Sequence, residues 1–295
     1  MTAAAMSAPV SMSSVPAAVG RARRRLLWWS APLAAFAFVA VVGPMLVPYD
    51  PVTVRLADRL APPGTLLPDG PRAWLGTDQV GKDLVAQVLQ GARISLIVGV
   101  ATVLAAGAVG LAAGVAAGYR GGVLDAVLMR LADLQLAFPS ILLAILIAAV
   151  LGRSVANVII TLSVTRWVTF ARIARASSLV TKEREFVTAA LATGAGTLRL
   201  VWRHIVPFTV TPLVVVATVE LGLVILAEAS LSFLGLGTTP AHPSWGLIIA
   251  NGRDYLTTGW WISTIPGLAL SVVVVTVGQF GDAVRDYLDP HTASR

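Results

Sequence analysis

Arg166 and Glu220 are the two ionisable side chains set deepest in apolar sequence, and they carry opposite charge. Each lies roughly 11–12 residues inside its own apolar run, which at 1.5 Å per residue puts both near a bilayer midplane. A charge at that depth is costly and normally faces a partner or a watery path. The pair is therefore a structural clasp, a lining of a translocation route, or two groups that protonate or snorkel. No other constellation points to chemistry. Gly76-Thr-Asp-Gln-Val-Gly-Lys-Asp83 nearly matches the phosphate-binding loop, but Asp83 stands where a hydroxyl must meet magnesium, and no strand precedes it. His204, His242 and His291 lie on separate segments, and there is no cysteine, so this chain by itself makes no obvious metal site. Neither Gly-x-Ser-x-Gly nor His-Glu-x-x-His occurs, which argues against an intramembrane hydrolase.

The elements that must position these groups are membrane spans. Of the 295 residues 56% are hydrophobic and only 13% charged, against about 25% charged in a soluble domain. The net charge of +7 does not indicate nucleic-acid binding, because the basic residues flank apolar runs instead of covering one polar face. Six runs are long enough to span: 27–47, 94–118, 132–151, 155–173, 208–230 and 263–283. The third and fourth, separated only by Gly152-Arg153-Ser154, form a tight hairpin. Arg21, Arg23, Arg24, Arg25, Arg120, Arg130, Arg172, Arg175, Lys182, Arg184, Arg199, Arg203 and Arg285 then fall on one side, which the positive-inside rule makes cytoplasmic, with both termini. Segments 49–93 and 231–262 lie outside.

Local patterns refine this picture. Residues 1–20 read as a disordered tail. The run after Arg25 is about 22 residues, too long for a cleaved leader's apolar core of about 7–15, and reads as a retained span. The Leu84, Val85, Val88, Leu89 stripe predicts a helix in the outer interface, with Asp78 as its N-cap. Gly110, Gly114 and Gly118, four apart, suit close helix packing or a substrate contact. Pro139 predicts a kink in the third span. Arg130 and Asp133 are placed to pair at i, i+3, as surface solvation or as part of an inner gate. Residues 182–193 alternate charged and apolar groups as an exposed helix does; Gly194 and Gly196 break it, and Pro207 ends a second short helix.

The stretch Lys182–Pro207 resembles the cytoplasmic coupling loop of ATP-binding-cassette importer permeases, with Ala189-Ala190, Gly194, Ile205 and Pro207 at the family's positions. Further strings resemble the dipeptide, oligopeptide and nickel (DppC/OppC-type) subfamily: Trp74–Asp83 with Gly91–Leu96, Asp125–Ser140, Leu226–Gly237 with Pro243–Gly246, and Gly278–Pro290. Two positions depart from it. Lys82 replaces the usual Arg, and Thr188 replaces a Glu, whose carboxylate contact is then missing or supplied by Glu185. The resemblance spans about residues 20–290. It implies an all-α integral membrane protein with six transmembrane helices, the type I ABC importer permease fold and cytoplasmic termini. The divisions would be a tail 1–25, a first helix and outer loop 26–93, a five-helix core 94–283 with coupling loop 174–207, and a tail 284–295. The implied partners are a homologous permease subunit in a heterodimer, two cytoplasmic ABC ATPases, an extracytoplasmic substrate-binding protein and the lipid bilayer, with no nucleic acid. The implied cargo is a di- or oligopeptide, or in the same fold a metal chelate such as nickel's. No cofactor is expected in this chain, and ATP hydrolysis would belong to the ATPases.

Overall fold

The computed structural model describes residues 15–47, 50–68 and 72–288. Ten α-helices and one two-stranded hairpin make up this part: α1 Val15–Leu46, β1 Thr65–Leu66, β2 Arg72–Ala73, α2 Leu84–Arg120, α3 Gly122–Leu136, α4 Ser140–Leu151, α5 Val155–Lys182, α6 Glu185–Ala192, α7 Thr197–Leu200, α8 Val206–Phe233, α9 Trp245–Gly252 and α10 Trp261–Leu288. Four helical stretches are long and apolar enough to cross a membrane, and the α3–α4 pair makes a fifth if it counts as one span. α5 has the length of a span, but Arg166, Arg172 and Arg175 lower its hydropathy. Large side chains such as Trp28, Met45 and Val150 are exposed around the bundle, as a lipid-facing surface requires.

Several expectations change. Residues 15–25 belong to α1 and residues 284–288 to α10, so both expected tails shrink; positions 1–14 and 289–295, with His291, lie outside the described residues. Among the described residues no separate interfacial helix precedes the second span. α2 runs unbroken for 37 residues, because the stripe of Leu84 and Val88 continues in phase into the span. Its N-cap is Asp83, whose Oδ1 accepts from the Ala86 amide at 2.8 Å. Asp78 instead folds the preceding loop, accepting from the amides of Val80 and Lys82 and from Gln87 Nε2. Burial pushes the Asp83 carboxyl above its ordinary range, and the Ala86 amide pulls it back.

The third span is broken, not kinked. α3 and α4 meet at 91° across Ala137-Phe138-Pro139. A proline alone gives a smaller bend; here α3 is also tied flat against α5. Arg175 grips Asp125 with two bonds of 2.5 and 2.6 Å, and Arg172 meets Asp133 at 2.5 Å. Gln135 accepts from Trp167 Nε1 and donates to the Thr165 carbonyl. Asp133 therefore reaches across to α5 and not along α3 to Arg130. Pro207 does not end a helix either. The chain stays helical from Thr197 to Phe233, and a π turn at Val201–Ile205 opens the ladder just before the residue that lacks an N–H.

Helix α5 lies along most of α2, and the three glycines make this contact. A Cβ on Gly118 would sit 2.8 Å from the Arg175 carbonyl oxygen, and those on Gly110 and Gly114 would run into Phe170, Ala171 and Ala174. The ridge is a packing surface, where bare backbone lets two helices approach closely.

Candidate functional site

Two features lie at the end of the bundle where α2 and α5 finish. The first is the loop between α5 and α8. Val187, Leu200 and Ile205 are buried and pack on Val115 of α2, with Phe186, Ala190 and Tyr119 around them. Phe186 stacks on Phe208 at 5.1 Å, and Lys182 Nζ donates to the Gly118 carbonyl. The loop is thus seated on the end of the bundle by its own apolar face.

The opposite face is left open. Glu185, Thr188, Ala189, Gly194 and Pro207 are exposed, Ala190 is half-buried and Ile205 is buried. The expected coupling residues therefore divide into an outward set and two anchors. Gly194 closes α6 as a Schellman cap: the Ala195 amide reaches the Ala190 carbonyl at 3.0 Å, and the Gly194 amide reaches Leu191 at 2.9 Å. Its φ of +82° is the left-handed conformation in which glycine carries no penalty. The sequence reading missed three neighbours. Leu191, Leu198 and Trp202 are 51%, 72% and 65% exposed. Apolar groups are thus exposed beside charged ones on this loop; the exposed turn of Leu198 was legible from its polar neighbours Thr197 and Arg199.

The second feature is a groove of about 570 Å³ between α5, α8 and α10. Thr169, Thr211, Glu220, Asp282 and Arg285 are its polar lining, in walls otherwise made of Val, Ile, Leu, Pro and Gly. The structure brings Arg166 and Glu220 together, with Nη1 and Oε2 3.5 Å apart. Arg25 of α1 meets Asp286 of α10 at 2.7 Å, so the described start and end of the chain share this end of the bundle with the loop.

At the opposite end, Glu228 is fully buried and accepts from the hydroxyls of Ser232 at 2.7 Å and Ser95 at 3.3 Å. Ser232 also accepts from the Thr238 amide, which pins the turn after α8. The Gly76–Asp83 near-motif is a packed turn in this region. Its Gly81 lies against the Arg55 backbone and its Asp83 is a helix cap, so it offers no phosphate cradle.

Residues 110–294 match the family described as the binding-protein-dependent transport system inner membrane component. The chain belongs to this family. It is a permease subunit of an ATP-binding-cassette importer, a multi-pass protein of the bacterial inner membrane, and the family works with ATPase and substrate-binding partners. The permease is 38% identical over 253 residues to the di/tripeptide transport system permease protein DppC of Pseudomonas aeruginosa, covering 86% of this chain and 84% of that one. It is 37% identical over 259 residues to the nickel transport system permease protein NikC of Escherichia coli, covering 88% and 91%. Among solved structures, inward-facing MetNI, a methionine ABC transporter, aligns with a TM-score of 0.54 at 18% identity, over 71% of this chain and 97% of that one. That last likeness concerns the fold alone.

Proposed function

We propose that this chain forms half of the translocation pathway of an importer for di- and oligopeptides. It pairs with a homologous permease as a heterodimer, and two cytoplasmic ATPases and an extracytoplasmic binding protein complete the assembly. The observation that carries this reading is the 38% identity to a di/tripeptide permease over 86% of the chain. The comparable likeness to a nickel permease keeps a metal chelate as the second reading. The exposed row Glu185, Thr188, Ala189 and Gly194, with Leu191, Leu198 and Trp202, is the surface that meets an ATPase. Val187, Ala190, Leu200 and Ile205 transmit its displacement into α2 and α8, and Pro207 stands at the entry to α8. The chain itself makes and breaks no bonds. In proteoliposomes containing all partners, ATP-driven uptake of radiolabelled dialanine is expected, with no uptake of a nickel chelate. The reverse result would replace the peptide reading by the metal one.

The orientation follows from the same reading. Both termini and the 174–207 loop face the cytoplasm, and segments 49–93 and 231–262 face outward; the divisions of the chain are those drawn from the sequence, with α1 and α10 extended as described. A phosphatase reporter fused after Pro68 is expected to be active outside, and one fused after Arg184 to be silent. An active fusion at Arg184 would invert the topology.

A further inference from the structure

Among the ion pairs between separate helices in the described residues, the one at Arg166 and Glu220 is the loosest. Arg172 and Asp133, each about half exposed, close to 2.5 Å, and Arg25 and Asp286 close to 2.7 Å. Arg166 and Glu220, with side chains only 21% and 7% exposed, touch through one pair of atoms at 3.5 Å. The most buried of these pairs is thus also the longest contact, although inside a bundle the electrostatic gain from closing such a gap is larger than at the surface. Arg166 Nε is buried with no hydrogen-bond partner. A guanidinium offers five N–H donors in a planar fork, suited to grip a carboxylate with two bonds. Here Nη1 donates to Glu220, and the buried Nε donates to no group among the described residues. Glu220 lines the groove between α5, α8 and α10, whose volume falls in the range of about 300–1,000 Å³ typical of small-molecule sites.

We propose that this pair is opened by the cargo: the carboxylate of a zwitterionic peptide is taken by Arg166, and its ammonium group by Glu220. The inference rests on the peptide-import reading above and adds what the permease recognises. Pulling a buried pair apart normally leaves two uncompensated charges. A zwitterion supplies one counter-charge for each, so both remain paired while the pathway is occupied and re-pair when the cargo leaves. The apolar walls of the groove include Ile173, Val215, Val216 and Val219, and its other polar groups are Thr169, Thr211, Asp282 and Arg285. The apolar walls accept peptide side chains without hydrogen-bonding to them, and Arg166 with Glu220 is the pair that reads the two termini. An anionic metal chelate would engage Arg166 alone.

The test uses the complex of this chain with its partner permease and ATPases in nanodiscs, free of nucleotide and of binding protein, so that the permease alone selects. The probe is tritiated dialanine, displaced by dialanine, N-acetyl-dialanine or dialanine amide. Free dialanine is expected to compete about tenfold better than either capped form, each of which lacks one charge-assisted contact. Arg166→Gln is expected to level dialanine with its amide, Glu220→Gln to level it with the N-acetyl form, and the exchange R166E/E220R to restore preference for the zwitterion over both. The capped-ligand comparison on the unaltered chain needs no variant, so it decides the matter even if a single substitution prevents folding. Equal competition by all three ligands would overturn the proposal. So would the absence of saturable dialanine binding in a complex whose complete form imports dialanine. Failure of the complete form to import any peptide would instead overturn the peptide reading.

Discussion

Gly114→Leu is expected to leave almost no folded chain in the membrane. A Cβ at Gly114 would already overlap Ala171 and Ala174 of α5 and approach the Arg175 amide to 2.9 Å. Those neighbours are largely backbone, which cannot step aside as a flexible side chain could. Overpacking a well-packed interior costs about 1–3 kcal/mol where side chains can adjust, and more where they cannot. The cost also falls on the longest helix–helix contact of the fold, α2 against α5. Gly107→Ala is the matched comparison. Its Cβ would meet Phe170 at 3.7 Å, an ordinary contact, and it should be tolerated. Detergent extraction followed by size-exclusion chromatography and a melting curve separates the two. A Gly114→Leu chain that accumulates and melts like the unaltered one would refute the ridge as the seam of the fold.

Gly194→Asp should do the reverse: the chain inserts and folds, and transport is lost. Nothing lies within 4 Å of a Cβ at this position, so no internal clash arises. The change acts in two other ways. At φ +82° an L-residue is strained, at a cost of about 1 kcal/mol to the cap of an eight-residue helix. It also adds bulk and negative charge to the face proposed to meet the ATPase. Gly194→Asn has similar size and tolerates left-handed backbone without the charge, and should keep a large part of the activity. Uptake, and ATP hydrolysis stimulated by the loaded binding protein, are the measurements. Normal uptake with Gly194→Asp would remove this loop from the docking surface.

What the residues disclosed in advance was mainly periodic or local. The apolar runs located the spans because hydrocarbon forces backbone hydrogen bonding within each segment. The four-residue glycine spacing pointed to a helix seam, and the turn chemistry of Gly194 to a helix end. What stayed hidden depended on distant partners. Asp133 has a formally suitable mate in Arg130, yet Arg172, 39 residues away, takes it. The right-angled break at Pro139 requires the ties from α3 to Arg172, Arg175 and Trp167, and none of these is visible in the local pattern. Asp78 is the cap that the local pattern suggests, yet Asp83 caps α2, because the preceding turn takes the hydrogen bonds of Asp78. The proximity of Arg166 and Glu220 was suggested by matched depth, whereas the looseness of their contact and the groove beside them follow from how three helices pack.

The length of α2 has a mechanical consequence. Its 37 residues extend about 55 Å, well beyond a hydrocarbon layer of about 30 Å. One end is capped by Asp83 and the other lies against Val187, Leu200 and Ile205. Such a helix is a lever arm. A rotation of about 10° about one end carries the other through roughly 10 Å, by the 1.5 Å rise per residue alone. With the Asp83 end as pivot, a displacement of up to that size where the ATPase is proposed to dock would tilt the whole helix, falling off steadily toward the opposite end, and no change in the helix's own hydrogen bonds would be needed to deliver it.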